Sequence, residues 1–431
     1  MKMSIVKIPY GNQTFDIICT LEKSSVEIFI PGLTYKPLPT PSAAVANAIN
    51  SPVDKNTILE HCTSTTSVGI TINDKTRPVP NTLLLTPLLH KLKALGIENS
   101  AITIFIASGT HVPMKPEEYQ LILSQEIINT IQISAHNSDD ETQLCEIGKT
   151  FRGTPVFVNK EFFHKDLKIV VGDIELHHFA GYSGGVKSAA IGLAGRQTIN
   201  HNHKLLLDNQ SILGNYAHNP LRNDIEEIGE LMGINLALNA VLNERKEIVK
   251  VFFGKPRDVI KAGIKVVNDI SQVPIESLYD LVVASAGGYP KDINLYQAQK
   301  AMTHASLFCK PAGKIILIAE CIEGVGSDGY LEFMRNVDSA EEVIKKFEEN
   351  EFSVGPHKAF QIARLLTKHQ IFFYSSISTS LTKSLLLNPL SSVREIDDLI
   401  NNTISSGGRV AILPYATACI PKLTDRCNDH D

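Results

Sequence analysis

The sequence predicts an α/β protein of two domains, each built on a mainly parallel sheet, with the active site in the cleft between them. Three observations carry this. Short runs rich in Ile and Val end abruptly in small or polar residues and are followed by stretches with helical spacing, the pattern of parallel strands covered on both faces. At 431 residues the chain is longer than one hydrophobic core supports. With 43% hydrophobic and 20% charged residues, its composition is that of an ordinary globular protein.

The elements follow in chain order. Residues 1–10 alternate polar and apolar side chains and read as a first strand. They lack the apolar core of about 7 to 15 residues that a secretory signal requires. Residues 67–72, 101–107 and 167–171 are expected strands, followed by the polar loops Asn73-Asp-Lys-Thr-Arg77, Ser108-Gly-Thr-His111 and Gly172-Asp-Ile-Glu175. In open α/β sheets ligands bind beyond the carboxyl ends of the strands, so these loops are where chemistry is expected. Residues 221–232 and 259–270 are spaced as amphipathic helices, and Ser271-Gln-Val-Pro274 reads as a linker. Beyond it come a strand at 281–284, the turn Gly287-Gly288, a helix at 295–308 and a strand at 314–319. A helical stretch at 340–349 and an apolar run at 371–374 extend this unit, and the last strand, 409–413, is expected to return to the first domain. The expected division is residues 1–273 with 400–431 as the first domain and 274–399 as the second.

Composition narrows the partners. The formal net charge is −5 and no block of five or more basic residues occurs, so nucleic acid and anionic membranes are not expected partners. No stretch approaches the roughly 18 apolar residues of a membrane span; even 281–286 is cut short by Gly287 and Gly288. The seven cysteines are odd in number and contain no CxxC pair, which fits reduced thiols in a cytoplasm rather than a disulfide framework. A small molecule is the expected ligand.

The densest chemistry lies in residues 175–204. Here His177-His178-Phe-Ala-Gly-Tyr-Ser-Gly-Gly-Val-Lys187 precedes His201-Asn-His203. Gly181, Gly184 and Gly185 let the backbone turn tightly and approach a ligand, and a helix starting near Lys187 would favour an anionic group such as phosphate. A nucleotide-triphosphate loop is a poor match, because that motif needs glycine directly before the lysine and Val186 stands there. Two other readings of the segment are a plain glycine turn with Lys187 solvated, or a desolvated lysine whose lowered pKa makes it a covalent anchor. His201 and His203 cannot both face one ion on a helix, where residues i and i+2 point about 200° apart. If extended, they share a face, and a zinc hydrolase would then need a third ligand such as His177 or Asp173. No HExxH spacing supports that. A metal held mainly by an organic cofactor, with one histidine completing the coordination, asks less of the protein.

Other loops supply further candidates. His111 stands where α/β enzymes display catalytic side chains and is an acid/base candidate; for it, as for His177 and His178, the alternative is an imidazole satisfied by local backbone. Arg77 offers a planar fork for carboxylate or phosphate, with Asp74 placed to orient it or else to cap a helix. Tyr296, Gln297 and Lys300 lie on the expected helix of the second domain, where Gln297 and Lys300 share a side and can meet a ligand; the alternative is a solvated lysine.

Together these segments resemble the nickel-dependent lactate racemase family, whose members use a nickel-pincer nucleotide. The likeness runs from Asp74-x-Thr-Arg-Pro78 to Tyr296-Gln-x-x-Lys300, and its most specific part is His177-x-Phe-Ala-Gly-Tyr-Ser-Gly-Gly-x-Lys187 with His203 sixteen residues further on. The resemblance implies that Lys187 tethers the cofactor through a thioamide and that His203 is the protein ligand to nickel. It implies His111 and His177 as paired acid/base groups, with Asp74, Lys75, Thr76 and Arg77 holding the cofactor. Arg77, Tyr296, Gln297 and Lys300 would bind a small 2-hydroxy acid. The first domain would then bind cofactor, and separate enzymes would make that cofactor. His178 and His201 are the second choices within each histidine pair. The chain has no tryptophan; Phe360 is the expected substitute for the family's bulky pocket aromatic.

The implied reaction suits these groups. A carbon-bound proton beside a carboxylate is very weakly acidic, so hydride removal with hydroxyl deprotonation by a histidine avoids a carbanion and gives a 2-keto acid that can be reduced on either face. The alternatives are a non-catalytic carrier of the nickel cofactor and a zinc-dependent hydrolase.

Overall fold

A computed structural model describes residues 2–21, 25–30, 35–55, 58–243, 245–350, 352 and 355–424. The chain forms two compact units, Thr34–Ile270 and Met1–Leu33 with Ser271–Asp431. Both are α/β, with mainly parallel sheets.

The unit Thr34–Ile270 is built on six strands in the order Ile248–Gly254, Leu236–Leu242, Leu167–Asp173, Val68–Asn73, Ile102–Ala107, Gln132–Ala135. All neighbours are parallel except the first pair. The central strands are almost wholly apolar because both faces are covered. On one face Ile70, Ile72, Ile104, Ile106 and Val171 pack with Leu84, Leu85 and Leu88 of the helix Asn81–Ala94. On the other, Ala237 and Val241 pack with Val259, Ile260 and Val267 of the helix Pro256–Ser271. Each such aliphatic side chain contributes about 1.5–3 kcal/mol when fully removed from water. The chain builds outward from Val68–Asn73 to Gln132–Ala135 and then crosses to lay Leu167–Asp173 on the opposite side. Connections therefore leave in opposite directions at the carboxyl ends of these two neighbouring strands, which opens the crevice where ligands of open α/β sheets bind.

The other unit holds a six-stranded, all-parallel sheet in the order Asn388–Leu390, Gln370–Tyr374, Cys309–Ile318, Tyr279–Ser285, Val410–Leu413, Val26–Ile28. The helix Leu295–Phe308 covers one face through Ala298, Ala301, Met302 and Ala305. Ile396 and Ile400 of the helix Val393–Ser405 cover the other.

The expected division of the chain is corrected at both ends. Val410–Leu413 does not return to the first domain; it pairs in parallel with the central strand Tyr279–Ser285. Residues 1–33 also belong here, because Ile8 and Ile17 of the hairpin Lys2–Tyr10/Gln13–Leu21 join the apolar cluster on this sheet and Val26–Ile28 extends its edge. Ser271-Gln-Val-Pro274 is not a linker: the helix runs through Ser271 and Gln272–Ile275 pairs with Ile420–Leu423. Among the described residues no helix is long and apolar enough to cross a membrane.

Candidate active site

Three of the polar loops expected to carry chemistry emerge at the same end of the first sheet. Asn73 and Asp173 close neighbouring strands, and their side chains meet at 3.5 Å. Asp74 follows at once and is buried, with 3% exposure. Its carboxylate does not orient Arg77 or cap a helix. One oxygen accepts from the backbone N–H and hydroxyl of Thr76, at 3.0 and 2.6 Å, and the other lies 2.7 Å from Nδ1 of His111. Burial pushes the Asp74 carboxyl pKa up, but the hydrogen bonds from His111 and Thr76 outweigh it and hold the group below its usual value. The His111 ring is half exposed, so the carboxylate fixes one nitrogen while the ring edge faces outward. Lys75 pairs with Glu118, and Arg77 is exposed.

The glycine-rich segment forms a small antiparallel hairpin, Leu176–His177 with Gly181–Tyr182, followed by a turn into the short helix Lys187–Ala190. Gly181, Gly184 and Gly185 all have positive φ. A Cβ at Gly181 would overlap the carbonyl of Asn215, so no other residue fits there without moving backbone. The loop is held from beneath by Arg222, which has 0% exposure. Its guanidinium donates to the carbonyls of Tyr182 and Gly184, both at 3.0 Å, and pairs with Glu226 at 2.6 Å. Asn239 accepts from the N–H of Gly185 at 2.8 Å.

Four aromatic rings cluster at the start of this loop. His177 and His178 stack at 4.7 Å, and Phe179 meets His177 edge-on at 4.6 Å and His203 at 5.3 Å. The backbone N–H of Ala180 donates to Nδ1 of His177 at 3.2 Å. His203 and His201 lie on one helix, Arg196–Lys204, and diverge as the helical period requires. His201 turns instead to the hydroxyl of Thr154, at 2.9 Å, within a network anchored on Asp224.

Lys187 is half-buried. Burial, reinforced by the nearby guanidinium groups of Arg77 and Arg222, pushes its pKa down to about 7 against the opposing pull of Glu175 and Asp173. Burial and the Glu175 carboxylate raise the pKa of Asp173, opposed by Lys246 and Arg77. Lys246 reaches this group through an ion pair with Glu175 at 3.1 Å. Residue type gave no sign of Arg222, Glu175 and Lys246 as parts of this site. The readable signal was positional: Glu175 and Lys246 stand just beyond the carboxyl ends of adjacent strands.

In the other unit, Asn294 caps the helix Leu295–Phe308, and Lys300 donates to Oε1 of Gln297 at 2.8 Å, so the expected shared side is present. Tyr296 lies against His357, with ring centroids 6.0 Å apart. Phe360 is not a pocket aromatic: it is buried and stacked on Phe347 at 4.8 Å, because it faces the core side of the helix Pro356–Leu366. Among the described residues no three His, Cys, Asp or Glu side chains converge as a metal-binding set.

Residues 10–214 match the lactate racemase N-terminal domain and residues 275–420 the lactate racemase C-terminal domain. The chain is 30% identical over 380 residues to the lactate racemase of Lactiplantibacillus plantarum, covering 87% of this chain and 89% of that one. It is 26% identical over 424 residues to the lactate racemase of Thermoanaerobacterium thermosaccharolyticum, covering 97% and 99%. The fold superposes on the lactate racemase apoprotein from that organism with a TM-score of 0.89 at 24% identity, over 97% of this chain and all of that one. A Thermotoga maritima protein gives a TM-score of 0.65 at 16% identity, over 92% of this chain.

Two outcomes are expected. Neutral His111 should carry its proton on Nδ1, since a carboxylate can only accept. In Asp74→Asn the amide can present its N–H₂ instead and the proton should move to Nε2, which ¹⁵N chemical shifts of the imidazole would register; an unchanged tautomer contradicts the pairing. For Lys187 the sign is that of a depressed cation: charged and inert below about 7, a free amine above it. Acetylation at this residue, followed by peptide mass spectrometry, should rise with a midpoint near that value, whereas ordinary lysines respond near about 10.4. A midpoint near 10 would remove the basis for a nucleophilic Lys187.

Proposed function

The chain belongs to the lactate racemase family, and from that premise we propose that it inverts the hydroxyl-bearing carbon of a small 2-hydroxy acid, with His111 and His177 as the acid/base pair. The observation that carries this reading is the Asp74–His111 contact of 2.7 Å on the sheet end that also presents the His177–Lys187 loop.

The residues fit a nickel-pincer nucleotide better than a metal held by protein alone. Among the described residues no convergent set of three ligating side chains exists, which disfavours the zinc hydrolase. Instead there is one amine with a lowered pKa, Lys187, to form the covalent link, and one helical imidazole, His203, beside the aromatic cluster to complete the coordination. Thr76 and Arg77 would hold its anionic part, with Asp74 fixing the turn they stand on. When bound, such a group supplies reversible acceptance of the carbon-bound hydrogen with its electron pair.

The protein's own task is then to move the hydroxyl proton and hold the carboxylate. Asp74 accepts the Nδ1 proton of His111, which leaves the Nε2 lone pair of the neutral ring as a base. The N–H of Ala180 occupies Nδ1 of His177, which keeps the proton of that neutral ring on Nε2 as a hydrogen-bond donor. The two imidazoles thus rest in opposite tautomers, one presenting a lone pair to the substrate oxygen and the other an N–H; the proton handed back to the oxygen comes from whichever ring is then an imidazolium. Inversion needs this pairing, because the hydroxyl oxygen changes sides as the carbon is attacked from its other face. Gln297 holds the Lys300 ammonium for the substrate carboxylate, with Tyr296 beside it. A non-catalytic carrier would use Lys187 and His203 but has no need of a carboxylate-oriented His111.

The test uses protein loaded with the nickel-pincer nucleotide. Intact mass should show a nucleotide-sized increment that disappears in Lys187→Ala, and His203→Ala should keep the increment while losing nickel. His111→Ala and His177→Ala should retain both and lose racemisation by about 10²-fold or more. Loaded wild-type protein that leaves every single-enantiomer 2-hydroxy acid optically unchanged would overturn the racemase in favour of the carrier.

A further inference from the structure

The turn Gly287-Gly288 opens the segment that leads to Tyr296, Gln297 and Lys300, and one buried carboxylate ties that segment down. Asp292 has 1% exposure. Its Oδ2 accepts from the backbone N–H of Gly11 at 2.7 Å and from that of Glu320 at 3.2 Å. Gly11 stands in the turn of the hairpin Lys2–Tyr10/Gln13–Leu21, and Glu320 follows the strand Cys309–Ile318, the neighbour of Tyr279–Ser285. The carboxylate therefore joins its own loop to the amino-terminal hairpin, 281 residues away, and to the loop beyond the adjacent strand.

Backbone contacts follow the same lines. Gly11 accepts from the N–H of Tyr289 at 2.8 Å. The approach is close: a Cβ at Gly288 would meet the Gly11 carbonyl oxygen at 2.8 Å, and one at Gly11 would overlap the Glu320 carboxylate. Both glycines also have positive φ, so the docking needs glycine at each place. On the other flank Cys321 donates to the carbonyl of Asp292 at 2.8 Å, and Leu295 and Tyr296 donate to those of Gly324 and Val325, both at 3.0 Å. Residues 289–296 are thus held between the hairpin turn and the 321–325 loop, and the Asp292 side chain is bonded to both flanks. An apolar residue there would leave the N–H groups of Gly11 and Glu320 without this acceptor.

We propose that Asp292 is a positioning residue for the substrate: it clamps the hairpin turn and the 320–325 loop onto the segment that places Tyr296, Gln297 and Lys300. This rests on the reading of those three as substrate-binding residues. The clamp works by geometry rather than charge, because both donors share Oδ2, while Oδ1 has no partner among the described residues. An asparagine with its carbonyl oxygen in that place keeps both bonds.

The test is calorimetric titration of the protein loaded with the nickel-pincer nucleotide, using D- and L-lactate. Asp292→Ala should weaken lactate by about fivefold or more, the fold-change of one lost hydrogen bond, with nickel content and mass increment unchanged. Asp292→Asn should stay within about twofold of the wild type. Gly11→Ala disturbs the same contact from the hairpin, so it should weaken lactate too, and the double variant Gly11→Ala/Asp292→Ala should lose less than the product of the single effects. Wild-type affinity in Asp292→Ala, an equal loss in Asp292→Asn, or a parallel loss of nickel overturns the positioning role. Lys300→Met is the control: unchanged lactate binding there sinks the reading of the substrate residues, whereas weakened binding there beside wild-type affinity in Asp292→Ala sinks the clamp alone. A wild type that binds neither enantiomer sinks the proposed function, and the clamp is then read from hydrogen exchange of the Leu295 and Tyr296 amides, which Asp292→Ala should speed and Asp292→Asn should not.

Discussion

The site depends on a buried ion pair beneath the glycine-rich loop. Arg222 lies wholly inside the protein, matched by Glu226, and spends its remaining donors on the carbonyls of Tyr182 and Gly184. Removing one member of such a pair typically costs about 3–5 kcal/mol, because the other is left charged and unmatched. Here the pair also does positional work. Three glycines with positive φ would leave the backbone free to wander, and the guanidinium fork ties it at two carbonyls. His177 stands at one end of the tied segment and Lys187 at the other, so their separation is set by the fold rather than by side-chain choice. The same guanidinium helps to lower the Lys187 pKa, which links loop geometry to amine reactivity.

A second constraint works through proton position. Asp74 and the Ala180 N–H each engage the Nδ1 of a histidine, one as acceptor and one as donor. Chemically similar imidazoles thereby rest in complementary states without any difference in their own residue type.

Much of this was legible in the sequence, for identifiable reasons. The strands Val68–Asn73, Ile102–Ala107 and Leu167–Asp173 are buried on both faces and read as apolar runs, so their ends and polar loops could be placed. On the helix that they occupy, His201 and His203 diverge, one of the two outcomes their i, i+2 spacing left open, and Gln297 and Lys300 met as helical spacing requires. What failed was long-range pairing. That Val410–Leu413 and Val26–Ile28 join the second sheet depends on partners far away in sequence, and local pattern carries no such information. Phe360 was misplaced because residue type alone cannot say which side of a helix faces the core. Asp74 was expected either to orient the adjacent Arg77 or to cap a helix, whereas its partner His111 is 37 residues away and one strand over. Nothing in the amphipathic spacing of residues 221–232 marks Arg222, and only the assembled loop shows why it is inside.

The central claim is that the histidines handle only the hydroxyl proton, while the hydrogen on carbon leaves and returns without exchanging with water. It is tested most directly by supplying the loaded protein with a 2-hydroxy acid carrying deuterium at carbon 2 in ordinary water, and following the label by mass spectrometry through racemisation. The account predicts that the inverted product keeps its deuterium. Loss of the label at the rate of inversion would mean that a histidine removes the carbon-bound proton itself, and would contradict it.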